Sequence, residues 1–206
     1  SEFALSIADR VVLAPRSGLW YLWTWLWPSG LSFVYERWEV SAANPLQWLP
    51  LIAAMALAGA CIVAWRRGIR GPAVLAALFV ASLFPALGFF NVYPFRFSFV
   101  ADHFAYVATP VLAAASAWCL VRVAARLPSR VAIAGAGLLL GGLATVSMGQ
   151  GSAYRDEETL WRRTLATNSR AWMPASNLAG LLVERAGSAS RAGDATRATA
   201  LASEAE

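Results

Sequence analysis

Arg96, Asp102 and His103 fall within eight positions of one another in the stretch FPALGFFNVYPFRFSFVADHFAYVA, residues 84–108, which is otherwise apolar and aromatic. His103 is the one histidine of the chain, and Asp102 is the one acid between positions 40 and 149. A guanidinium is a planar fork that matches a phosphate or carboxylate. Imidazole titrates near neutral pH and can donate to a phosphate oxygen, and a neighbouring carboxylate can orient either cation. Tyr93 and Tyr106, with Phe95, Phe97 and Phe104, add faces of the kind that pack on a sugar ring or an isoprenoid tail. The chemistry these types suggest is recognition of a phosphorylated, partly apolar ligand. Metal chemistry is not suggested, because one histidine and one aspartate are too few ligands. A plainer reading uses the same residues: Arg96 snorkels to lipid headgroups, and Asp102 caps a helix starting near 103. A second cluster, Tyr35, Glu36, Arg37, Trp38 and Glu39, stands upstream. Tyr35, Arg37 and Trp38 suit sugar or lipid contact, and equally serve as interface anchors.

These side chains must be held by apolar elements. The chain is 58% hydrophobic and 14% charged, against about 45–50% and about 25% in ordinary soluble domains. The excess is gathered into runs: residues 46–65, 71–95, 104–121 and 131–154 carry no charge. A spanning helix needs roughly 20 apolar residues, and a soluble helix seldom stays apolar on every face for that distance. The expectation is an all-α integral membrane bundle with four spanning helices near 46–66, 72–89, 104–126 and 130–149, the second bent or ended by Pro85 and Gly88 so that 90–103 takes an irregular path. A Trp-dense helix over 5–27 precedes them, with Pro15 as a possible kink. It either spans, its charged start at the cytoplasmic surface, or lies along the outer interface.

Arginine placement sets the orientation. Arg66, Arg67 and Arg70 follow the first run, and Arg122, Arg126 and Arg130 follow the third. Short loops rich in Lys and Arg stay cytoplasmic. The loops around 28–45 and 90–104, and everything after about 150, then face outward, which is the periplasmic side if the membrane is a bacterial inner membrane. A net charge of +5 does not imply nucleic acid, since those six arginines belong to the cytoplasmic loops. Residues 150–206 balance seven arginines with seven acids. Cys61 and Cys119 lie inside spanning runs and read as small apolar side chains.

Two domains are expected, a membrane region over 1–149 and a soluble helical region over 150–206. Leu160, Trp161, Thr164 and Leu165 make one helical stripe, and Leu178, Leu181 and Leu182 another. The segment AWMPASNLAGLLVERAG followed by DATRATALA has the two-helix pattern of a tetratricopeptide repeat, with Ala179 where glycine is usual and Leu182 where tyrosine is usual. Residues 156–168 match the second helix of a preceding repeat. The start without methionine and the end within a helical pattern fit a piece of a longer protein.

The succession LWPSGLSFVYERWEV, FPALGFFNVYPFRFSFVADHFAYVA and a repeat-like tail, from about 17 to 186, resembles bacterial membrane proteins with C-terminal tetratricopeptide repeats. Those are similar to the animal transmembrane-and-tetratricopeptide O-mannosyltransferases, in the GT-C glycosyltransferase superfamily. The resemblance implies transfer of a hexose, mannose in the best-known members, from a polyprenyl-phosphate carrier to a protein hydroxyl on the outward face. It implies Arg96 as the carrier-phosphate ligand, with Asp102 and His103 beside it. Many relatives have Arg-Tyr where this chain has His103 and Phe104. The acidic base of the family lies on an earlier outward loop, so no residue here takes the catalytic role. No cofactor is implied; the partners are the lipid-linked donor, membrane lipid and a protein acceptor or docking partner. Two other readings fit the same residues: a membrane-anchored repeat scaffold without catalysis, and a lipid-linked glycan ligase, polymerase or flippase-like transporter. Paired acids just after a first upstream span would favour the enzyme.

Overall fold

The structure is a computed structural model that describes residues 5–205, all helical, with no strand among them. The chain divides into two compact units. Unit 1 comprises Ser1–Leu31 and Arg37–Ala144; unit 2 comprises Ser32–Glu36 and Thr145–Glu206.

Unit 1 opens with α1, Ile7–Leu26. Ser6 and Asp9 start it as a reciprocal capping box, the Asp9 amide donating to Ser6 Oγ at 3.1 Å and the Ser6 amide to Asp9 Oδ2 at 3.0 Å. Pro15 lies inside the helix, which continues through it. Leu13, Ser17 and Tyr21 repeat every fourth residue and form a buried stripe. Trp23 and Trp27, on the far side of the helix end, are both 63% exposed.

Segment 39–48 closes on itself before α2, Leu49–Arg66. The Gln47 amide side chain donates to the Glu39 carbonyl and its oxygen accepts from the Ser41 amide, while the Trp48 indole donates to the Ala42 carbonyl at 2.9 Å. Asn44 caps the turn Pro45–Trp48 that leads into the helix. Gly68, at φ +85°, ends α2. Helix α3, Gly71–Leu83, and helix α4, Thr109–Ala124, both start with proline in the first turn. Helix α5, Ser129–Gly151, follows directly.

Two helical stretches, Pro45–Arg66 with 22 residues and Ser129–Tyr154 with 26, are long and apolar enough to cross a membrane, and neither buries any of its apolar window. At 1.5 Å per residue each exceeds the roughly 30 Å of a hydrocarbon core. The other two expected spans are apolar but shorter. Residues 72–89 were expected as a helix that Pro85 and Gly88 could bend or end, and α3 stops at Leu83 and gives way to a tight turn, Phe84–Ala86. Pro85 lacks the amide that would continue the ladder, and Gly88 turns the chain at φ +98°. Likewise 104–126 is a 3-10 stretch, Asp102–Val107, followed by α4 of 16 residues. The connection 84–108 is therefore irregular throughout.

In unit 2, α6 covers Glu157–Thr167, α7 Trp172–Arg191 and α8 Ala195–Ala205. Helix α7 runs through Gly187 and Ser188, Gly193 turns the chain at φ +82°, and α8 begins within DATRATALA, as the two-helix pattern implies. Leu182 is 1% exposed and Thr164 2%, at the centre of the three helices. Glu158 receives Arg162 and Arg185, and Arg162 also reaches Glu204 at 2.6 Å, so one acid–base chain links α6, α7 and α8. Segment 32–36 belongs to this unit through side chains. Ser32 Oγ shares a hydrogen bond with Thr167 Oγ1 at 2.9 Å, and the Phe33 ring meets Trp161 edge-on at 5.4 Å.

Candidate functional site

The connection between α3 and α4 is held mainly by α1. Arg10 donates to the carbonyls of Gly88 and Phe89 at 2.8 and 3.2 Å and to Asn91 Oδ1 at 2.6 Å. Gly88 sits so close to α1 that a Cβ there would lie 2.6 Å from Leu13 Cδ2. Leu13, fully buried, packs with Phe95 and Phe99. About two turns further, the Tyr21 hydroxyl accepts from the Ala101 amide at 3.1 Å and donates to its carbonyl at 3.3 Å. Asp9 reaches the other connection, accepting from the Ala42 amide at 2.7 Å. That amide, with Ser6, holds the Asp9 carboxyl below its ordinary range. From Asp9 to Tyr21, about 18 Å of helix axis, α1 thus finds polar partners on both connections. Trp25 instead reaches a helix, its indole donating to Ser116 Oγ of α4 at 2.9 Å.

Around Leu13 the rings form a continuous cluster. Phe95 meets Phe99 at 5.6 Å and Phe104 at 6.3 Å, and Phe104 meets the His103 imidazole at 4.5 Å. Arg37 donates from Nε to the Phe95 carbonyl at 2.9 Å and lies 4.8 Å above the Phe99 ring. Trp38 packs against the same cluster and carries the Arg16 guanidinium 4.2 Å above its face. Five sequence-predicted residues thus take these places. Arg37 and Trp38 meet the cluster directly, His103 borders it through Phe104, and Arg96 extends into solvent from the turn Tyr93–Arg96, 5.6 Å over the Tyr93 ring.

Asp102 is half-buried and opens the 3-10 turn, whose cap is Ala101 rather than Asp102. The capping role expected for it is therefore filled by backbone geometry without a side chain. Arg37, Arg96 and Asp102 are each engaged by other groups. Tyr106 is 71% exposed. Tyr35, expected beside Arg37 and Trp38, belongs to unit 2, where its hydroxyl accepts from the Ser32 amide at 3.1 Å.

Sequence reasoning passed over Asp9, Arg10, Arg16 and Tyr21. The signal was present as charges inside a helix otherwise rich in Trp and Leu, which read as interruptions to a span. The arrangement can do three things chemically: present exposed cations from an aromatic base, offer the exposed ring of Tyr106, and place both beside apolar helices. Among the described residues no group of three or more His, Cys, Asp or Glu side chains is arranged to hold a metal. No protein-family model matches the chain, nor does any curated protein or solved structure.

Proposed function

We propose that this chain is the donor-binding and architectural part of a membrane glycosyltransferase that takes a hexose from a polyprenyl-phosphate carrier. The observation that carries the reading is the cluster of Leu13, Phe95 and Phe99 with Arg37 fixed on it and His103 at its border, beside the exposed Arg96. Such a base gives a phosphate cationic donors and gives the first isoprenes and the sugar aromatic faces, without burying an unpaired charge in lipid. In this reading Arg96 stabilises charge as it develops on the leaving phosphate, His103 donates to that phosphate, Asp102 orients Arg96 or His103, and Tyr93 and Tyr106 contact sugar or lipid.

The bundle is an integral membrane one. Helices α2 and α5 span it, and α3 and α4, lengthened by their 3-10 turns, complete four crossings. Both connections face outward, since Arg66, Arg67, Arg70, Arg122, Arg126 and Arg130 hold the opposite loops in the cytoplasm. Helix α1 lies at the outer interface, where its exposed tryptophans belong. Helices α6 to α8 are the start of a tetratricopeptide-like array that presents or recruits the protein acceptor.

The test is sugar transfer by the full-length protein in nanodiscs, from a radiolabelled polyprenyl-phosphate hexose to a protein acceptor. Arg96→Ala is expected to abolish transfer while expression and melting stay as in the wild type. Unchanged transfer removes Arg96 from the site. Absence of any transfer by the wild type, with a partner protein captured by unit 2, favours the membrane-anchored scaffold instead.

A further inference from the structure

The cations around the aromatic cluster are not equivalent. Arg10 uses its donors on Gly88, Phe89 and Asn91, and Arg37 donates to the Phe95 carbonyl. Arg16 is half-buried on α1, and its one recorded contact of this kind among the described residues is the face of Trp38. The single acid on α1, Asp9, is turned to Ser6 and Ala42 instead. A ring face attracts the charge but accepts none of the five guanidinium N–H groups as an oxygen would. Partly withdrawn from water, those donors gain from an anionic acceptor more than they would at an open surface. Trp38 cannot swing away cheaply, because it packs against the Leu13, Phe95 and Phe99 cluster. The guanidinium is therefore held in place by its platform while its hydrogen-bonding edges remain unused by the described residues.

We infer that Arg16, braced on Trp38, is an anion-binding residue for a phosphate monoester or diester, separate from Arg96. A stacked guanidinium is weakly hydrated and offers a fork to two phosphate oxygens at once, which a lysine does not. Two sources share this chemistry: a lipid-linked phosphate reaching the site from the apolar side, and free phosphate from solution. The inference rests on the proposed function only where the lipid is identified with the sugar carrier.

The experiment is protection of Arg16 from phenylglyoxal, read by mass spectrometry of the full chain in zwitterionic nanodiscs, so that the native protein is the probe. Three additions are compared: polyprenyl monophosphate, the unphosphorylated polyprenol, and inorganic phosphate. Polyprenyl monophosphate is expected to slow Arg16 modification about tenfold, the size of one charge-assisted fork, and the polyprenol to leave it unchanged. Protection by inorganic phosphate alone assigns the site to free phosphate. Protection by neither phosphate, or equal protection by the polyprenol, overturns the inference. In a direct binding assay with polyprenyl monophosphate, Arg16→Gln is expected to lose about tenfold in affinity and Arg16→Lys to recover part of it. Binding that depends on Arg16 in a protein that transfers no sugar leaves the anion site standing and refutes the glycosyltransferase reading. Transfer and binding that are indifferent to Arg16→Gln do the reverse.

Discussion

Replacing Gly88 by alanine tests whether α1 truly sets the path of the connection that carries Arg96. Two costs are expected. The first is conformational: at φ +98° a residue with a Cβ is strained by about 1–2 kcal/mol. The second is steric, since the new Cβ would lie 2.6 Å from Leu13 Cδ2 and 3.1 Å from its Cγ. Leu13 is 0% exposed and wedged among Phe95 and Phe99, so it has little room to retreat, and overpacking of this kind costs about 1–3 kcal/mol. The sum is about 2–5 kcal/mol. Gly68 supplies the control, because it has φ +85° but nothing within 4 Å of the built Cβ; Gly68→Ala is expected to cost only the first part. The assay is reversible denaturation of the full chain in mixed micelles, comparing both variants with the wild type. Adding Leu13→Ala to Gly88→Ala is expected to recover the steric part relative to the sum of the single changes, a coupling of about 1–3 kcal/mol. Equal destabilisation by Gly88→Ala and Gly68→Ala, or additivity in the double variant, would refute the close packing of α1 on this turn.

The same segment depends on the Arg10 fork. Arg10→Gln is expected to destabilise unit 1 by about 1.5–3 kcal/mol, since bonds to a charged donor are lost and two carbonyls lose their partner, and to raise amide exchange at 84–92 specifically; exchange unchanged there would show that the fork is incidental. In unit 2 the Arg162 hydrogen bond holds the Glu158 carboxyl below its ordinary value, Arg185 adding to it, and the Thr159 amide does the same for Asp156. Because both folded values are lowered, the unfolded chain takes up protons first as pH falls. The stabilisation is therefore complete above the ordinary carboxylate range and is lost as pH drops through the folded values. Melting of unit 2 is expected to be flat from neutrality to about pH 5 and to fall below about pH 4, with Glu158→Gln costing about 1 kcal/mol or less at neutral pH because its partners are exposed; a melt rising on acidification would contradict the network.

The helical elements were legible because their signals are local. Charge-free runs mark α2 to α5, and the leucine-bearing stripes mark α6 and α7. Pro85 and Gly88 also marked the end of α3 and the irregular path that follows it. What the sequence hid was the 3-10 start before α4 and allegiance. Tyr35 and Arg37 are two positions apart yet belong to different units, because Ser32, Phe33 and Val34 find partners at Thr167, Trp161 and Asn168, more than a hundred residues away. Pairings of that separation leave no periodicity to read.

The other hidden feature is what the polar residues of α1 do, and it reorganises the candidate site. Arginines in a tryptophan-rich helix look like defects in a span when judged by hydropathy alone. Judged by hydrogen bonding, they are what an irregular connection requires, since its carbonyls and amides have no ladder of their own and must be satisfied from elsewhere. Asp9, Arg10 and Tyr21 do this at Ala42, at Gly88 to Asn91 and at Ala101. Leu13 supplies the apolar floor between them. It follows that Arg37, Arg96 and His103 owe their placement less to the apolar helices than to a single amphipathic helix upstream. Substitutions in α1 should therefore disturb ligand recognition more strongly than substitutions at the exposed faces of α2 or α5, which bury none of their apolar windows.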